Sequence, residues 1–386
     1  MGSPSSRMVI LAAGGTGGHI FPAEALAEVL LKRGFQPVLI TDRRFFRYAP
    51  AGGEGVFGRI PVHTIRSASL RGGLVSKFMA LVAVMAGVVQ ALGLLGKLRP
   101  VAVVGFGGYP SFPTMVAAII LRRPTILHEQ NSVLGKANRA LAPYVTRLAT
   151  SYHATRHVPE ALMAQTQRTG NPVRGAVRAL AQLPYPEPVA DGMLRILVIG
   201  GSQGARVFSD VLPKAFASLA PDLRARIRLD QQCRAPQMEE LKRRYTDLKM
   251  QVDLAPFFAD VAVRMAAAHL VITRAGASSV AELMVAGRPA IFVPLPGATD
   301  NHQYHNAEAI EDAGGGWVMA EDGFTPEALA ARIETFLRLP SALTTAALAL
   351  APLGQPDAAE KLADLVLAVA GSAGAEAKPE QSKEAA

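Results

Sequence analysis

Short apolar runs alternate with longer helix-like stretches along most of the chain. The apolar runs predict strands at residues 8–13, 37–41, 101–105, 125–128, 195–199, 270–273 and 290–294. Helical stretches are predicted at residues 22–32, 78–96, 114–121, 207–217 and 358–369. Because strands that alternate with helices indicate parallel β-α-β units, the pattern predicts an α/β protein with two tandem doubly wound, Rossmann-like domains.

The length of 386 residues is sufficient for two domains. Residues 184–192 are rich in Pro and Gly, which cannot continue a helix or a central strand, so this segment is predicted as a linker. It separates an N-terminal domain, residues 7–183, from a C-terminal domain, residues 193–340. Residues 341–370 are predicted as helices that pack back on the N-terminal domain, and residues 1–6 and 371–386 are expected to be disordered.

The net charge of +9 is unevenly distributed. Residues 1–180 contain 21 Lys and Arg against 6 Asp and Glu, whereas residues 181–386 contain 19 against 25. A basic half suggests a polyanionic partner: nucleic acid, a phosphorylated substrate or an anionic membrane surface. The single cysteine, Cys233, excludes a disulfide scaffold and a cysteine-based metal site.

Residues 78–96 form an apolar segment without a charged side chain, close to the length of a membrane span. Lys77 and Lys97 flank it on both sides, so no charge asymmetry orients a span. Three interpretations stay open: a buried core helix, a helix with one face in contact with lipid, and a true span.

Glycine-rich loops follow four of the predicted strands, at residues 14–18, 105–108, 200–204 and 274–279. Such loops let backbone N–H groups converge on an anion, which favours a phosphate-bearing ligand. Their spacing fits neither the G-x-G-x-x-G pattern of nicotinamide enzymes nor a P-loop, so both classes are disfavoured. No Asp-x-Asp occurs, and the sequence predicts no metal ion and no cofactor.

His19 follows the first glycine loop at the predicted start of a helix. There its imidazole could accept a proton from a hydroxyl nucleophile. The alternative that stays open is a histidine at the helix N-terminus that only bonds to the backbone.

Six motifs carry a specific resemblance, and they occur in order at residues 14–22, 105–109, 128–131, 170–174, 200–206 and 274–282. Over about residues 8–310 the chain resembles the MurG family of bacterial glycosyltransferases. The resemblance implies a GT-B fold, in which two Rossmann-like domains enclose a deep interdomain cleft.

The resemblance also implies the activity. Family members are inverting enzymes that transfer N-acetylglucosamine from UDP-GlcNAc to the C4 hydroxyl of undecaprenyl-pyrophosphoryl-MurNAc-pentapeptide (lipid I), giving lipid II and UDP. The implied location is peripheral, on the cytoplasmic face of the inner membrane. The expected partners are the donor, the lipid-linked acceptor, an anionic membrane surface and other cell-wall or division proteins, with no nucleic acid.

Residue roles follow from the same motifs, with His19 as the candidate general base. The UDP-GlcNAc site is expected to comprise Thr16, Gly17, Gly18, Asn131, Arg174, Ser202, Phe258, Ala277, Ser278, Ser279, Val280, Ala281, Glu282 and Gln303, with Gly15, Gln203, Gly204, His302, Gly107 and Gly108 as weaker candidates. The resemblance places Phe258 at the uracil and Glu282 at the ribose hydroxyls. His302 replaces one of two adjacent glutamines found in some members, so either His302 or Gln303 could contact the sugar.

Two alternatives stay open from the sequence. Another GT-B enzyme that uses UDP-GlcNAc without a lipid acceptor, such as a 2-epimerase, would share the donor motifs. A nucleotide-sugar-binding or membrane scaffold protein without turnover would not require His19 or the glycine loops.

Overall fold

The computed structural model of the chain describes residues 7–14, 16–47, 55–68, 73–200 and 205–376, which fall into two compact units. The first unit comprises the described residues up to Pro172 and those from Asp357 onward. The second unit is Val173–Pro356. The predicted disordered segment 1–6 and residues 377–386 of the predicted tail lie outside the described residues.

The first unit contains a parallel seven-stranded sheet in the order β3-β2-β1-β4-β5-β6-β7. Its strands are β1 (Met8–Ala12), β2 (Gln36–Thr41), β3 (Val62–Thr64), β4 (Ala102–Gly105), β5 (Thr125–Glu129), β6 (Arg147–Thr150) and β7 (Thr166–Arg168). In the described residues its helices are α1 (Gly17–Lys32), α2 (Leu74–Leu98), α3 (Ser111–Ile120), α4 (Lys136–Leu141) and, near the end of the chain, α14 (Ala358–Glu376). Short 3₁₀ helices occur at Arg43–Arg47, Val56–Gly58, Ala142–Tyr144 and Glu160–Gln165.

Helices cover both faces of this sheet because successive strand residues point to opposite faces. Val9 and Leu11 of β1 belong to a core with α1, whereas Ile10 belongs to a core with α2 and α3. Burial on both faces explains why the central strands read as continuous apolar runs.

Helix α1 begins earlier than predicted. The expected start was Pro22, but the helix begins at Gly17, and the carbonyl of Thr16 accepts hydrogen bonds from the N–H groups of His19 and Ile20. Pro22 lies inside the helix, where its ring keeps a helical φ. His19 therefore belongs to the first helical turn.

The second unit contains a parallel six-stranded sheet in the order β10-β9-β8-β11-β12-β13. Its strands are β8 (Leu194–Ile199), β9 (Ile227–Gln232), β10 (Gln251–Ala255), β11 (Leu270–Thr273), β12 (Ala290–Phe292) and β13 (Gly316–Val318). Its helices are α5 (Gly175–Arg178), α6 (Arg206–Ser218), α7 (Pro221–Ala225), α8 (Met238–Asp247), α9 (Val261–Ala267), α10 (Ala277–Ala286), α11 (His302–Glu311), α12 (Pro326–Arg338) and α13 (Ser341–Leu350). Single 3₁₀ turns occur at Ala179–Gln182, Ala235–Gln237 and Thr299–Asn301.

The division between the units differs from the predicted linker, because residues 184–192 lie inside the second unit. The Tyr185 hydroxyl donates to the His269 carbonyl at 2.7 Å. Arg288, only 1% exposed, donates to the Met265 and Ala266 carbonyls near the end of α9, and its guanidinium lies 5.6 Å from the Tyr185 ring. The Pro-rich segment is thus packed against the rest of the second unit through contacts of Tyr185 and Arg288.

The C-terminal helices also differ in part from the prediction. Helix α13 belongs to the second unit, where Leu350 lies in the core. Helix α14 (Ala358–Glu376) belongs to the first unit and packs on α1, with Leu362 and Val366 in the core beside it. Since α14 continues to Glu376, residues 371–376 of the predicted disordered tail are helical.

Candidate active site

In the first unit, the predicted site residues lie at the carboxyl ends of β1, β4 and β5, in the connecting loops and in the first turn of α1. These strands are neighbours in the sheet, and the connections leave β1 and β4 in opposite directions. Ligands of doubly wound sheets bind at such a switch point. The structure therefore brings together the predicted residues that follow β1 (residues 16–19), those that follow β4 (Gly107 and Gly108), and Asn131, which follows β5.

Gly107 and Gly108 leave room for the imidazole of His19. Both have positive φ, 81° and 76°. A Cβ atom at Gly108 would lie 3.1 Å from Cδ2 and 3.2 Å from Nε2 of His19. A larger residue at position 108 would thus be strained and would press on the imidazole.

A chain of hydrogen bonds runs from His19 into the interior of the first unit. The Nδ1 atom of His19 lies 3.2 Å from Oε1 of Gln130, and Nε2 of Gln130 lies 2.9 Å from Nδ1 of His128. The Nε2 atom of His128 lies 2.9 Å from the carbonyl oxygen of Gly170. Gln130 and His128 are 1% and 0% exposed. Burial lowers the pKa of His128 to about 4, so its ring is neutral near pH 7.

Glu129 organises the same loop. Its Oε1 accepts from the backbone and side-chain N–H groups of Asn131, and its Oε2 accepts from Gly135 N and Asn138 Nδ2, all within 3.0 Å. The amide of Asn131 is thereby oriented by a buried carboxylate. No role was predicted for His128, Glu129 or Gln130, although all three lie in the motif at residues 128–131.

In the second unit, Arg174 and Glu282 form a bidentate ion pair across 108 residues of sequence. Nε and Nη2 of Arg174 donate to Oε1 and Oε2 of Glu282 at 2.7 and 2.9 Å. The side chain of Glu282 is only 9% exposed and that of Arg174 is 29% exposed. Arg174 therefore neutralises a carboxylate that lies on α10. It belongs to the second unit, so the prediction that placed Arg174 in the N-terminal domain was wrong.

Helix α10 supplies a stretch of predicted nucleotide-binding residues, 277–282. It begins immediately after Gly276, which has no side chain to cap the helix. The first-turn N–H groups have no intrahelical acceptor, and the helix dipole adds positive potential there. This end of α10 has the chemistry of an anion site.

The segment that contains Phe258 is held from two sides. The guanidinium of Arg264 lies 4.1 Å from the centroid of the Phe258 ring. On the other side, Gln232 accepts from Gly200 N at 3.2 Å and donates to the Pro256 carbonyl at 3.1 Å. Gln232 thus joins the loop after β8 to the loop after β10, a role that the sequence analysis missed.

Arg264 is itself held by three carboxylates. It lies 2.9 Å from Asp260, 2.7 Å from Asp253 and 3.3 Å from Asp230. Its hydrogen bond holds the pKa of Asp260 below the usual range, whereas burial raises that of Asp230. Arg264 and the three carboxylates line a cavity of about 220 Å³. None of these four residues lies in a predicted motif.

His302 and Gln303 lie at the start of α11 with different hydrogen-bonding needs. Nδ1 of His302 lies 2.8 Å from the Thr299 carbonyl, so in the neutral ring this nitrogen carries the proton and Nε2 can accept. Oε1 of Gln303 accepts from Leu295 N at 3.0 Å, which directs its amide N–H₂ elsewhere. Asp300 and Asn301, just before them, adopt left-handed φ values of 51° and 52°.

Four predicted site residues, Gly15, Ser202, Gln203 and Gly204, lie outside the described residues. The others fall into two sets, one in each unit. Within the described ranges, no group of three or more His, Cys, Asp or Glu side chains is placed to hold a metal ion.

Helix α2 exposes a broad apolar face between Val75 and Val89. Val75, Phe78, Met79, Met85 and Val89 are between 58% and 80% exposed. In the described part of the chain, Val75–Leu98 is long and apolar enough to cross a bilayer, and 28% of its most apolar window is buried. The same helix buries Ala91 and Leu95 in the core of the first unit, so one side packs on protein.

Comparison with known proteins identifies related sequences over nearly the whole chain. Models of the glycosyltransferase family 28 N-terminal and C-terminal domains match residues 9–150 and 195–362. A protein of Rhodospirillum centenum is 50% identical, covering 99% of this chain and 100% of its own. One of Paramagnetospirillum magneticum is 48% identical, covering 95% and 97%. Both are named UDP-N-acetylglucosamine--N-acetylmuramyl-(pentapeptide) pyrophosphoryl-undecaprenol N-acetylglucosamine transferase.

Solved structures include a similar chain. The crystal structure of Acinetobacter baumannii MurG aligns with a TM-score of 0.73 at 30% identity, covering 94% of this chain and 99% of that one. Together with the two parallel sheets, this likeness confirms the predicted pair of Rossmann-like domains of the GT-B fold.

Proposed function

The chain belongs to glycosyltransferase family 28 and to its MurG members, and from this premise we propose that it transfers N-acetylglucosamine from UDP-GlcNAc to lipid I. The acceptor is the C4 hydroxyl of MurNAc in undecaprenyl-pyrophosphoryl-MurNAc-pentapeptide, and the products are lipid II and UDP. The observation that carries the proposal is 50% identity, over 99% of the chain, to a transferase named for this reaction.

The donor is assigned to the second unit. Its diphosphate suits the first turn of α10, whose residues Ala277, Ser278 and Ser279 follow Gly276. Glu282, oriented by Arg174, retains lone pairs that can accept from ribose hydroxyls. The uracil is assigned to the backbone around Phe258, which Gln232 and Arg264 hold in place.

His302 and Gln303 are both assigned to the transferred sugar, with opposite hydrogen-bonding roles. Nε2 of His302 is the acceptor for a sugar hydroxyl, because Nδ1 is committed to Thr299. The amide N–H₂ of Gln303 is the donor, because its oxygen is committed to Leu295. Because only a hydrogen-bond acceptor is needed at position 302, a histidine can take the place of a glutamine there.

His19 of the first unit is assigned as the general base. The imidazole takes the proton of the C4 hydroxyl while that oxygen forms a bond to C1 of the donor sugar. The bond from C1 to the diphosphate breaks, and UDP leaves with the electron pair. Attack opposite the leaving group inverts the anomeric centre. Asn131, oriented by Glu129, is assigned to a sugar hydroxyl.

The test is acceptor-dependent release of UDP from UDP-GlcNAc in the presence of a short-chain lipid I analogue. We expect His19→Ala to lower kcat by about 10²- to 10⁴-fold, with a much smaller change in the KM for the donor. His63→Ala, at a half-buried histidine in β3 of the same unit, is the matched control and should retain wild-type turnover. Hydrolysis or epimerisation without acceptor would contradict the proposal, and wild-type turnover of His19→Ala would remove the base assignment.

We further propose that the protein is peripheral on the cytoplasmic face of the inner membrane, with the exposed face of α2 in contact with lipid. Phe78 and Met85 are 65% and 58% exposed, while the opposite side of the helix packs on the first unit. The basic flanks at Lys77 and Lys97 suit anionic headgroups. Of the three interpretations of this segment, these contacts support a helix with one lipid-contacting face.

Co-sedimentation with liposomes tests the membrane assignment. The double variant Phe78→Ser/Met85→Ser removes two large apolar side chains and should weaken binding to anionic vesicles at least about tenfold. Leu348→Ser, at a 71% exposed leucine of the second unit, is the matched control and should bind as the wild type does. Equal binding of the double variant and the control would exclude α2 as the contact.

A further inference from the structure

The hydrogen-bond chain behind His19 ends in a group that can only accept. The carbonyl of Gly170 has no proton to donate, so Nε2 of His128 must carry the proton in their 2.9 Å contact. Burial keeps the His128 ring neutral, and a neutral imidazole with a proton on Nε2 has a lone pair on Nδ1. The tautomer of His128 is therefore fixed by a backbone carbonyl.

That tautomer fixes the orientation of the Gln130 amide. Nδ1 of His128 needs a donor, and Nε2 of Gln130 lies 2.9 Å from it. The same Nε2 lies 3.1 Å from the His128 carbonyl, which also only accepts. Both contacts require nitrogen at this position, so the other amide atom, which faces His19, is the oxygen.

Oε1 of Gln130 accepts only, and it lies 3.2 Å from Nδ1 of His19. The proton of the neutral His19 ring is therefore on Nδ1, and the lone pair is on Nε2. This is the tautomer that a base acting through Nε2 requires.

We propose that Gln130 and His128 are positioning residues that hold His19 in the Nδ1–H tautomer and present its Nε2 as the proton acceptor. The inference rests on the proposed role of His19 as the base. Serine protease triads hold the corresponding histidine with a carboxylate. Here the group that orients Nδ1 is an uncharged amide.

Two substitutions at Gln130 separate orientation from structural support. Gln130→Met has nearly the same length but no acceptor for His19 and no donor for His128. Gln130→Glu keeps an oxygen for Nδ1 of His19, but as a carboxylate it offers His128 no N–H and places a negative charge in a buried position. Gln130→Glu should therefore be the less stable protein and the more active one.

Activity is measured at about pH 8, where an ordinary imidazole is neutral. Gln130→Met should lower kcat by about 10- to 100-fold, as loss of an orienting partner does for metal-bound histidines, with less than about threefold change in donor KM. Gln130→Glu should retain more of kcat than Gln130→Met and melt at a lower temperature. If Gln130 had only a structural role, the variant with the lower melting temperature would also have the lower kcat. That result would overturn the proposal.

The tautomer itself is read from ¹⁵N NMR of histidine-labelled protein, with His19 assigned by its absence in His19→Gln. In the wild type, His19 should show a protonated Nδ1 and an unprotonated Nε2, and Gln130→Met should change this signature. His269, a buried histidine of the second unit, is the internal reference and should not change. A wild-type His19 with its proton on Nε2 overturns the inference even if no variant folds.

The two readouts distinguish this inference from the proposed function. If the wild type has the expected tautomer but transfers no sugar, the proposed function is wrong, and Gln130 and His128 do not serve catalysis. If the wild type transfers sugar and Gln130→Met has the same kcat and the same His19 tautomer, only the positioning role of Gln130 and His128 is wrong.

Discussion

The two units share an alternation of parallel strands and helices, but different contacts orient their two central site residues, His19 in the first unit and Glu282 in the second. In the first unit, His19 is oriented by Gln130 and His128, which are buried and uncharged. In the second unit, Glu282 is oriented by a bidentate pair with Arg174, and Phe258 lies under Arg264.

The difference corresponds to the chemistry assigned to each unit. A general base must be neutral before it takes a proton, and buried neutral partners fix its tautomer without adding charge. A nucleotide diphosphate offers fixed negative charges and hydroxyl groups, which suit helix N-terminal amides and an oriented carboxylate. The hydrogen bonds behind His19 connect two histidines and one amide. The excess Lys and Arg residues in the first half of the sequence therefore lie elsewhere.

The largest effect is expected from breaking the ion pair of the second unit. Arg174→Met leaves the carboxylate of Glu282 buried and unpaired, which should lower the free energy of unfolding by about 3–4 kcal/mol. Denaturant unfolding measures the loss, and hydrogen exchange locates it. Peptides from α5 and α10 should exchange faster, while those around His128 and Gln130 should not change.

Two controls sharpen this test. Arg338→Met breaks an exposed pair with Glu334 and should cost less than about 1 kcal/mol. Arg174→Met/Glu282→Gln removes the buried charge as well and should recover much of the lost stability. If Arg174→Met is no less stable than Arg338→Met, ion pairing does not hold this part of the second unit.

The sequence was sufficient to predict the central strands of both sheets. The runs at β1, β4 and β11 are buried along nearly their whole length because helices cover both faces, and β8 is interrupted by the exposed Arg195. The strands that were missed are mainly peripheral: β9 and β10 contain charged and amide side chains, and β7 has three residues without an aliphatic side chain. Strands exposed on one side lack the continuous apolar run.

The placement of the candidate site residues was predictable only where they lie in local motifs. His19, Gly107 and Gly108 follow strands in glycine-rich loops, and the structure brings them into contact range. Arg264 and Gln232 lie in no such motif, because their effect depends on pairing between loops that follow different strands. The prediction that residues 184–192 link the two domains was wrong for a related reason. The Pro-rich composition predicts an extended segment, but it does not predict the hydrogen bond from Tyr185 to His269.

A smaller effect is expected from acid, and it involves one buried histidine in each unit. Burial lowers the pKa of His128 to about 4, and burial with the charges of Arg195 and Arg288 lowers that of His269 to about 4. Both values are below the ordinary 6.5, so the unfolded chain binds more protons between about pH 6.5 and 4. The stabilisation from the neutral rings is complete above pH 6.5 and decreases as the pH falls through this window.

At pH 5 each histidine should lower the free energy of unfolding by about 2 kcal/mol relative to pH 8. His269→Gln removes the contribution of the second unit, so its loss of stability between pH 8 and 5 should be about 2 kcal/mol smaller than that of the wild type. His63→Gln, at a half-buried histidine of β3, should keep the wild-type dependence. If His269→Gln and the wild type lose stability equally, the acid sensitivity belongs to the hydrogen-bond chain of the first unit, and the comparison becomes one between a pH-sensitive first unit and a pH-insensitive second unit.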